Sequence, residues 1–205
     1  MIKNITRIRP SKTIEKIQTP APPVYGLVLA GGHSRRMGTD KSLLHYHGLP
    51  QREFLFQLLK KYCDAVFLSC RKEQHVPANL NPLFDTLELA GPLNGILSAF
   101  QYKNTSWLVI AIDMPFVDDP AIETLFINRD RTKIATCYFN RETRQPEPLL
   151  TLWESGAYPH LVAFVQNGNV SPREFLKTHP VNMINPPDDR ILINVNSPGD
   201  LGSLH

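Results

Sequence analysis

Apolar positions along the chain fall into short runs separated by turn residues, and the runs alternate between two forms. Residues 24–29, 65–69 and 107–112 are predominantly apolar stretches of five or six, the pattern of strands buried on both faces. Further strands are predicted at 80–84, 133–138, 149–153 and 191–195, with a short extended piece at 43–46. Between them, residues 50–62 place Phe54, Leu55, Leu58, Leu59 and Tyr62 on one helical face, with Pro50 suited to the first turn. Helices are also predicted at 92–102 (opened by Gly91-Pro92), 121–127, 158–165 and 172–177, with a last helical turn at 197–201. Strand–helix alternation of this kind predicts an α/β fold: a single doubly wound, mostly parallel sheet with helices on both faces. Ligands of such sheets bind beyond the carboxyl ends of the strands. The loop after Leu29, Ser69, Asp85, Asp113 and Asn196 all follow predicted strands and are expected to line one crevice.

Residues 1–23 stand outside the alternation. Lys3, Arg7, Arg9, Lys12 and Lys16 face a single acid, Glu15, and the segment ends in Pro20-Ala21-Pro22-Pro23. It reads as a basic, proline-ended arm ahead of a domain spanning 24–205. The 205 residues suit one domain with a self-sufficient core. A net charge of +3 is too small to argue for nucleic acid and equally suits anionic small molecules. The three cysteines are widely spaced without a C-x-x-C, which argues against a zinc ribbon or disulfide framework and for a reducing cytoplasm. No run of about 18 apolar residues offers a membrane span, and the N-terminus lacks a signal peptide's apolar centre.

The chemistry concentrates in Leu29-Ala30-Gly31-Gly32-His33-Ser34-Arg35-Arg36-Met37-Gly38-Thr39-Asp40-Lys41. Gly31 and Gly32 let the backbone turn and approach a ligand closely, and N–H groups in such a turn form an anion-binding concavity. Arg36 and Lys41 add positive charge. The adjacent glycines do not fit G-x-G-x-x-G, and Asp40 stands where a P-loop needs glycine. Asp113 follows the apolar run 107–112 directly, so a carboxylate is expected at the tip of a buried strand, where a hard cation bound to phosphates needs one. Asp85 serves either a turn or a ligand. The imidazoles of His45 and His47 fall on one side of an extended piece, but two ligands without a third read as a solvated face; His33 is given no role.

The loop resembles the signature of the molybdenum cofactor guanylyltransferases (MobA-like), within the nucleotidyltransferase family. The resemblance extends through Gly48-Leu49-Pro50, Asp85, Gly91-Pro92-Leu93-Asn94-Gly95, Asp113-Met114-Pro115-Phe116, Glu147-Pro148-Leu149 and Asn194-Val195-Asn196-Ser197-Pro198-Gly199-Asp200-Leu201. It implies a Rossmann-like nucleotidyltransferase fold and transfer of GMP from Mg-GTP to a molybdopterin-type cofactor, with release of pyrophosphate. Catalytic roles are implied for Arg36, Lys41 and Asp113. Nucleotide contacts are implied at Leu29, Ala30, Gly31, Gly32, Lys41, Ser69, Asp85, Gly91, Pro92, Leu93 and Asp113. Magnesium is implied at Asp113, with Asn196 either beside it or capping the last helix. The family often has asparagine where this chain has Ser69, and a hydroxyl cannot make the two-sided contact of an amide. Leu-Ala-Gly-Gly and Gly-Pro-Leu-x-Gly go with guanine in these families. The rival readings are a molybdenum cofactor cytidylyltransferase using CTP, a sugar-phosphate nucleotidyltransferase and a non-catalytic nucleotide-binding protein.

Overall fold

The structure, a computed structural model, describes residues 22–31 and 41–195, and of Lys41 the backbone alone. Its strands are β1 (Val24–Leu29), β2 (Ala65–Cys70), β3 (Pro82–Phe84), β4 (Ser106–Ala111), β5 (Ala135–Asn140), β6 (Gln145–Trp153) and β7 (Asn182–Ile184). They form one sheet in the order β3-β2-β1-β4-β6-β5-β7. All pairings are parallel except those of β6, which runs against both β4 and β5. The helices are α1 (Gln51–Lys60), α2 (Leu93–Tyr102), α3 (Asp119–Ile127), α4 (Ala157–Gln166) and α5 (Pro172–Thr178).

Side-chain alternation along the strands divides the core into two layers. On one face Val24 and Val28 of β1 and Leu108 and Ile110 of β4 pack against Leu55, Leu58 and Leu59 of α1 and Ile122 and Leu125 of α3. On the other, Leu27, Leu29, Trp107 and Val109 meet Ile96 and Phe100 of α2, Leu161 of α4 and Phe175 of α5. The predicted doubly wound sheet is therefore present, with helices on both faces. Local signals start the helices: the Asp118 carboxylate accepts from the Ala121 N–H at the head of α3, and the Ser171 hydroxyl accepts from the Glu174 N–H at the head of α5.

Four expectations need correction. The predicted strand at 80–84 is broken by Asn81, whose left-handed φ of 46° separates a 3-10 turn at Ala78–Leu80 from β3. The predicted strand at 191–195 is a 3-10 turn, Asp189–Leu192, capped by the Asp188 side chain on the Arg190 N–H. The strand beyond β5 is instead β7, three partly exposed residues with little apolar signal. The predicted extended piece at 43–46 is a 3-10 turn, Lys41–Leu43, followed by a lone bridge from His45 to Pro50. β6 also starts four residues earlier than expected: Pro146 and Pro148 argue against a strand, but the β5–β6 register shifts there and interrupts the ladder that proline would break.

At the amino end of β4, Arg129 fastens the sheet from behind. Its Nε lies 2.6 Å from Glu154 Oε1, and its Nη2 donates to Glu154 Oε2 and to Ser106 Oγ, each at 2.7 Å. Both charged side chains are about nine-tenths buried. This pair sits at the opposite end of β4 from Asp113.

Candidate active site

The carboxyl ends of β1, β2, β3 and β4 open onto a cavity of about 730 Å³. Leu29, Gly31, Ser69, Asp85, Gly91, Pro92 and Asp113 line it, so the strand-end rule brings most of the expected residues together. Two sit behind the wall. Ala30 is buried, with its N–H donating to the Ser69 carbonyl at 3.0 Å and its carbonyl accepting from Gln74 at 3.1 Å. Leu93 is fully buried in the α2 layer of the core. Gly32, Arg36, Asn196 and the Lys41 side chain lie outside the described residues.

The segment Gly91-Pro92-Leu93-Asn94-Gly95 divides its work by position. Gly91 turns the chain at φ 86°, a conformation L side chains rarely adopt. Leu93 anchors α2 in the core. The Asn94 side chain clasps the preceding loop: its Nδ2 donates to the carbonyls of Leu87 at 2.6 Å and Leu89 at 3.2 Å, and its Oδ1 accepts from the Leu87 N–H. Leu87 and Leu89 are thereby held as apolar walls of the cavity. Gly95 seats Ser69: a Cβ there would stand 2.4 Å from Ser69 Oγ.

Asp85 follows β3, its N–H bound to the Cys70 carbonyl at 3.0 Å. Ser69 Oγ donates to its Oδ1 at 3.0 Å. Burial raises the Asp85 carboxyl above the usual range, and the Ser69 hydroxyl and the Arg71 charge pull it back in part. Gly31 lies against the other oxygen: a Cβ on it would come 3.1 Å from Asp85 Oδ2.

Asp113 is half-buried at the end of β4. The backbone around it is tied from three sides. The Ile112 N–H donates to the Leu29 carbonyl at 3.1 Å, the Val195 N–H donates to the Asp113 carbonyl at 2.7 Å, and the Met114 N–H closes a turn on Ala111. His47 Nε2 lies 2.7 Å from the Pro115 carbonyl while its ring stacks on Phe54, so this imidazole braces the Asp113 loop. The Val195 contact also fixes the residue directly before Asn196 beside Asp113.

A second acid was given no role by the sequence. The β4–β6 pairing ends at Ile110 with Leu150, and beyond it Glu147 lies close enough to Asp113 for the two charges to act on each other. Glu147 is 2% exposed. Burial raises its carboxyl, the Asp113 charge raises it further, and the Leu149 N–H and Arg173 lower it. Arg173, reaching from α5 to 3.4 Å, gave no sequence signal, whereas a glutamate flanked by prolines inside a strand could have been noticed. Arg71 and Lys72, just past β2, bring positive charge to the cavity rim.

Carboxylate oxygens at Asp113 in a cavity with Gly31, Arg71 and Lys72 suit a magnesium ion held by one carboxylate and shared with phosphates. Among the described residues no group of three or more His, Cys, Asp or Glu is placed to hold a metal alone. No described helix is long and apolar enough to cross a membrane, and all three cysteines are free.

Comparison with known proteins agrees with this geometry. A family model described as "MobA-like NTP transferase domain" matches residues 26–183. A "Molybdenum cofactor biosynthesis bifunctional protein" of Synechocystis is 37% identical over 209 residues; the match covers all of this chain, which spans 60% of that protein's length. A "Molybdenum cofactor guanylyltransferase" of Pseudomonas paraeruginosa is 32% identical over 190 residues, covering 90% of this chain and 96% of the relative. Among solved structures, "Molybdopterin-guanine dinucleotide biosynthesis protein A" of Archaeoglobus fulgidus superposes with a TM-score of 0.72 at 24% identity, over 87% of this chain and 95% of that one. The last likeness supports the fold.

Proposed function

The chain belongs to the MobA-like NTP transferase family, and from that membership we propose that it transfers GMP from GTP to a molybdopterin-type cofactor and releases pyrophosphate. The observation that carries the reading is the cavity that joins Gly31, Asp85 and Asp113 at the ends of β1, β3 and β4.

A terminal phosphate of the acceptor is the nucleophile. Its second pKa is about 6, so it is largely dianionic at neutral pH and needs no general base. One of its oxygens bonds to the α-phosphorus of GTP, and the bond from that phosphorus to the β-bridging oxygen breaks. The obstacle is bringing two anions together, so the protein's task is positioning and charge. The backbone at Gly31-Gly32 cradles the β- and γ-phosphates. Arg36 and Lys41 meet the departing pyrophosphate. Asp113 is the residue that would hold magnesium, which when bound neutralises charge on the phosphate oxygens. The site lies where β4 ends against β1, with the nucleobase accommodated toward β2 and β3 between Leu29, Leu87, Leu89 and Pro92. Residues 1–23 are proposed to be dispensable for this chemistry, and the free thiols suit a cytoplasmic setting.

Thermal unfolding with Mg-GTP and, separately, Mg-CTP tests the reading. A ligand at 100 times its Kd adds about 2.7 kcal/mol, which for a chain of this size raises Tm by roughly 5–10 °C. GTP should give that shift and CTP much less; a shift with CTP alone refutes the guanine assignment.

A further inference from the structure

Resting on that reading, we infer that Ser69 is a positioning residue: it aims Asp85 at the guanine edge rather than contacting the base itself, and Gly95 exists to seat it. The Ser69 side chain is 1% exposed, and its one proton goes to Asp85 Oδ1 at 3.0 Å. A hydroxyl has a single donor, so none is left for a base. The seat is specific. A Cβ at Gly95 would lie 2.4 Å from Ser69 Oγ, 3.3 Å from Ser69 Cβ and 2.7 Å from Leu29 Cδ2, so serine at 69 packs only against glycine at 95.

Asp85 is then held at two points, its backbone N–H on the Cys70 carbonyl and its Oδ1 on Ser69, and the bare Cα of Gly31 leaves room beside Oδ2, where a Cβ would come within 3.1 Å. Each carboxylate oxygen accepts at two lone-pair sites, so both retain capacity after these contacts. An ionised carboxylate only accepts. Guanine presents two adjacent donors, N1–H and the 2-amino group, on one edge. Cytosine presents one donor, its 4-amino group, beside the acceptors N3 and O2, and adenine its 6-amino group beside the acceptor N1, so neither offers a carboxylate two adjacent donors. Nor would a carboxylate face the triphosphate without a cation between them. The sheet separates these duties: Asp85 follows β3 and Asp113 follows β4, three strand spacings apart, or roughly 14 Å at about 4.8 Å each. That span leaves room for a ribose and α-phosphate between base and metal side.

Steady-state kinetics on the full chain with GTP and with ITP, which lacks the 2-amino group, tests this. Ser69→Ala should raise KM for GTP about tenfold or more, with the change falling on KM rather than kcat, and should shrink the preference for GTP over ITP. Asp85→Asn should abolish that preference, and adding Ser69→Ala to it should change KM little further, because both remove the same interaction. An unchanged KM and GTP/ITP ratio in Ser69→Ala, or effects of the two substitutions that simply multiply, overturns the inference and leaves guanylyl transfer standing. A wild-type protein that takes CTP and refuses GTP overturns the functional reading as well.

Discussion

Replacing Gly95 by alanine reverses the usual expectation for a helix. Alanine in a helix interior is normally favoured over glycine by about 0.8–1 kcal/mol. In α2, however, the added methyl meets Ser69 Oγ at 2.4 Å and Leu29 Cδ2 at 2.7 Å. Ordinary contact needs about 3.5 Å, so roughly 1 Å must be found in a wall whose members are buried. Such overpacking costs about 1–3 kcal/mol. The cheapest relief rotates the Ser69 hydroxyl off Asp85, giving up a hydrogen bond to a charged group worth about 1.5–3 kcal/mol. After subtracting the helix gain, Gly95→Ala should destabilise by roughly 1.5–5 kcal/mol, read from urea unfolding midpoints at constant m. In the Ser69→Ala background the 2.4 Å contact vanishes, so the double variant should lose at least 1 kcal/mol less than the sum of the singles. A Gly95→Ala protein as stable as the parent or more so would show that the seat is not built as argued.

Asp113→Ala and Lys41→Ala should each lower kcat by about 10² or more, the scale of losing one electrostatic group in a dry site; near-normal turnover in either removes its assigned role. Glu147→Gln should flatten the pH dependence of stability. Because burial raises the native Glu147 pKa, the native state holds the proton longer than the unfolded chain, and stability falls as pH rises from the ordinary glutamate range through the raised value. Denaturation across that window should show the fall in the parent and not in the variant; equal slopes would contradict it. Arg129→Ala leaves Glu154 charged and buried without its partner, and should cost about 3–5 kcal/mol. A urea midpoint within 1 kcal/mol of the parent would count against that. Deleting residues 1–21 should leave kcat intact, and a folded but inactive truncation would place the arm in the catalytic unit.

The core of the fold was legible because β1, β2 and β4 are mostly buried and therefore predominantly apolar. The edges were not. β7 is three partly exposed residues, and nothing in Asn-Met-Ile distinguishes a strand that joins the sheet only because β5 offers an open side. Residues 191–195 carry the apolar signal of a strand, yet Asp188 caps a 3-10 turn and Ile191 and Leu192 bury themselves against the α1 layer. The site was legible where chemistry sits at a strand tip, as with Asp85 and Asp113. The partnership of Ser69 with Asp85 and Gly95 was not, since it joins residues 16 and 26 positions apart through two elements whose spacing only the folded sheet sets. For the same reason Glu147 could be quoted within a motif but not placed near Asp113.

The most direct measurement is transfer itself: molybdopterin-type cofactor, magnesium and labelled nucleotide incubated with the full chain, with pyrophosphate and the dinucleotide product quantified. GTP should yield pyrophosphate and a guanine dinucleotide in equal amounts, and CTP little of either. A cytosine dinucleotide as the main product, or GTP bound without pyrophosphate release when the acceptor is present, would contradict the account.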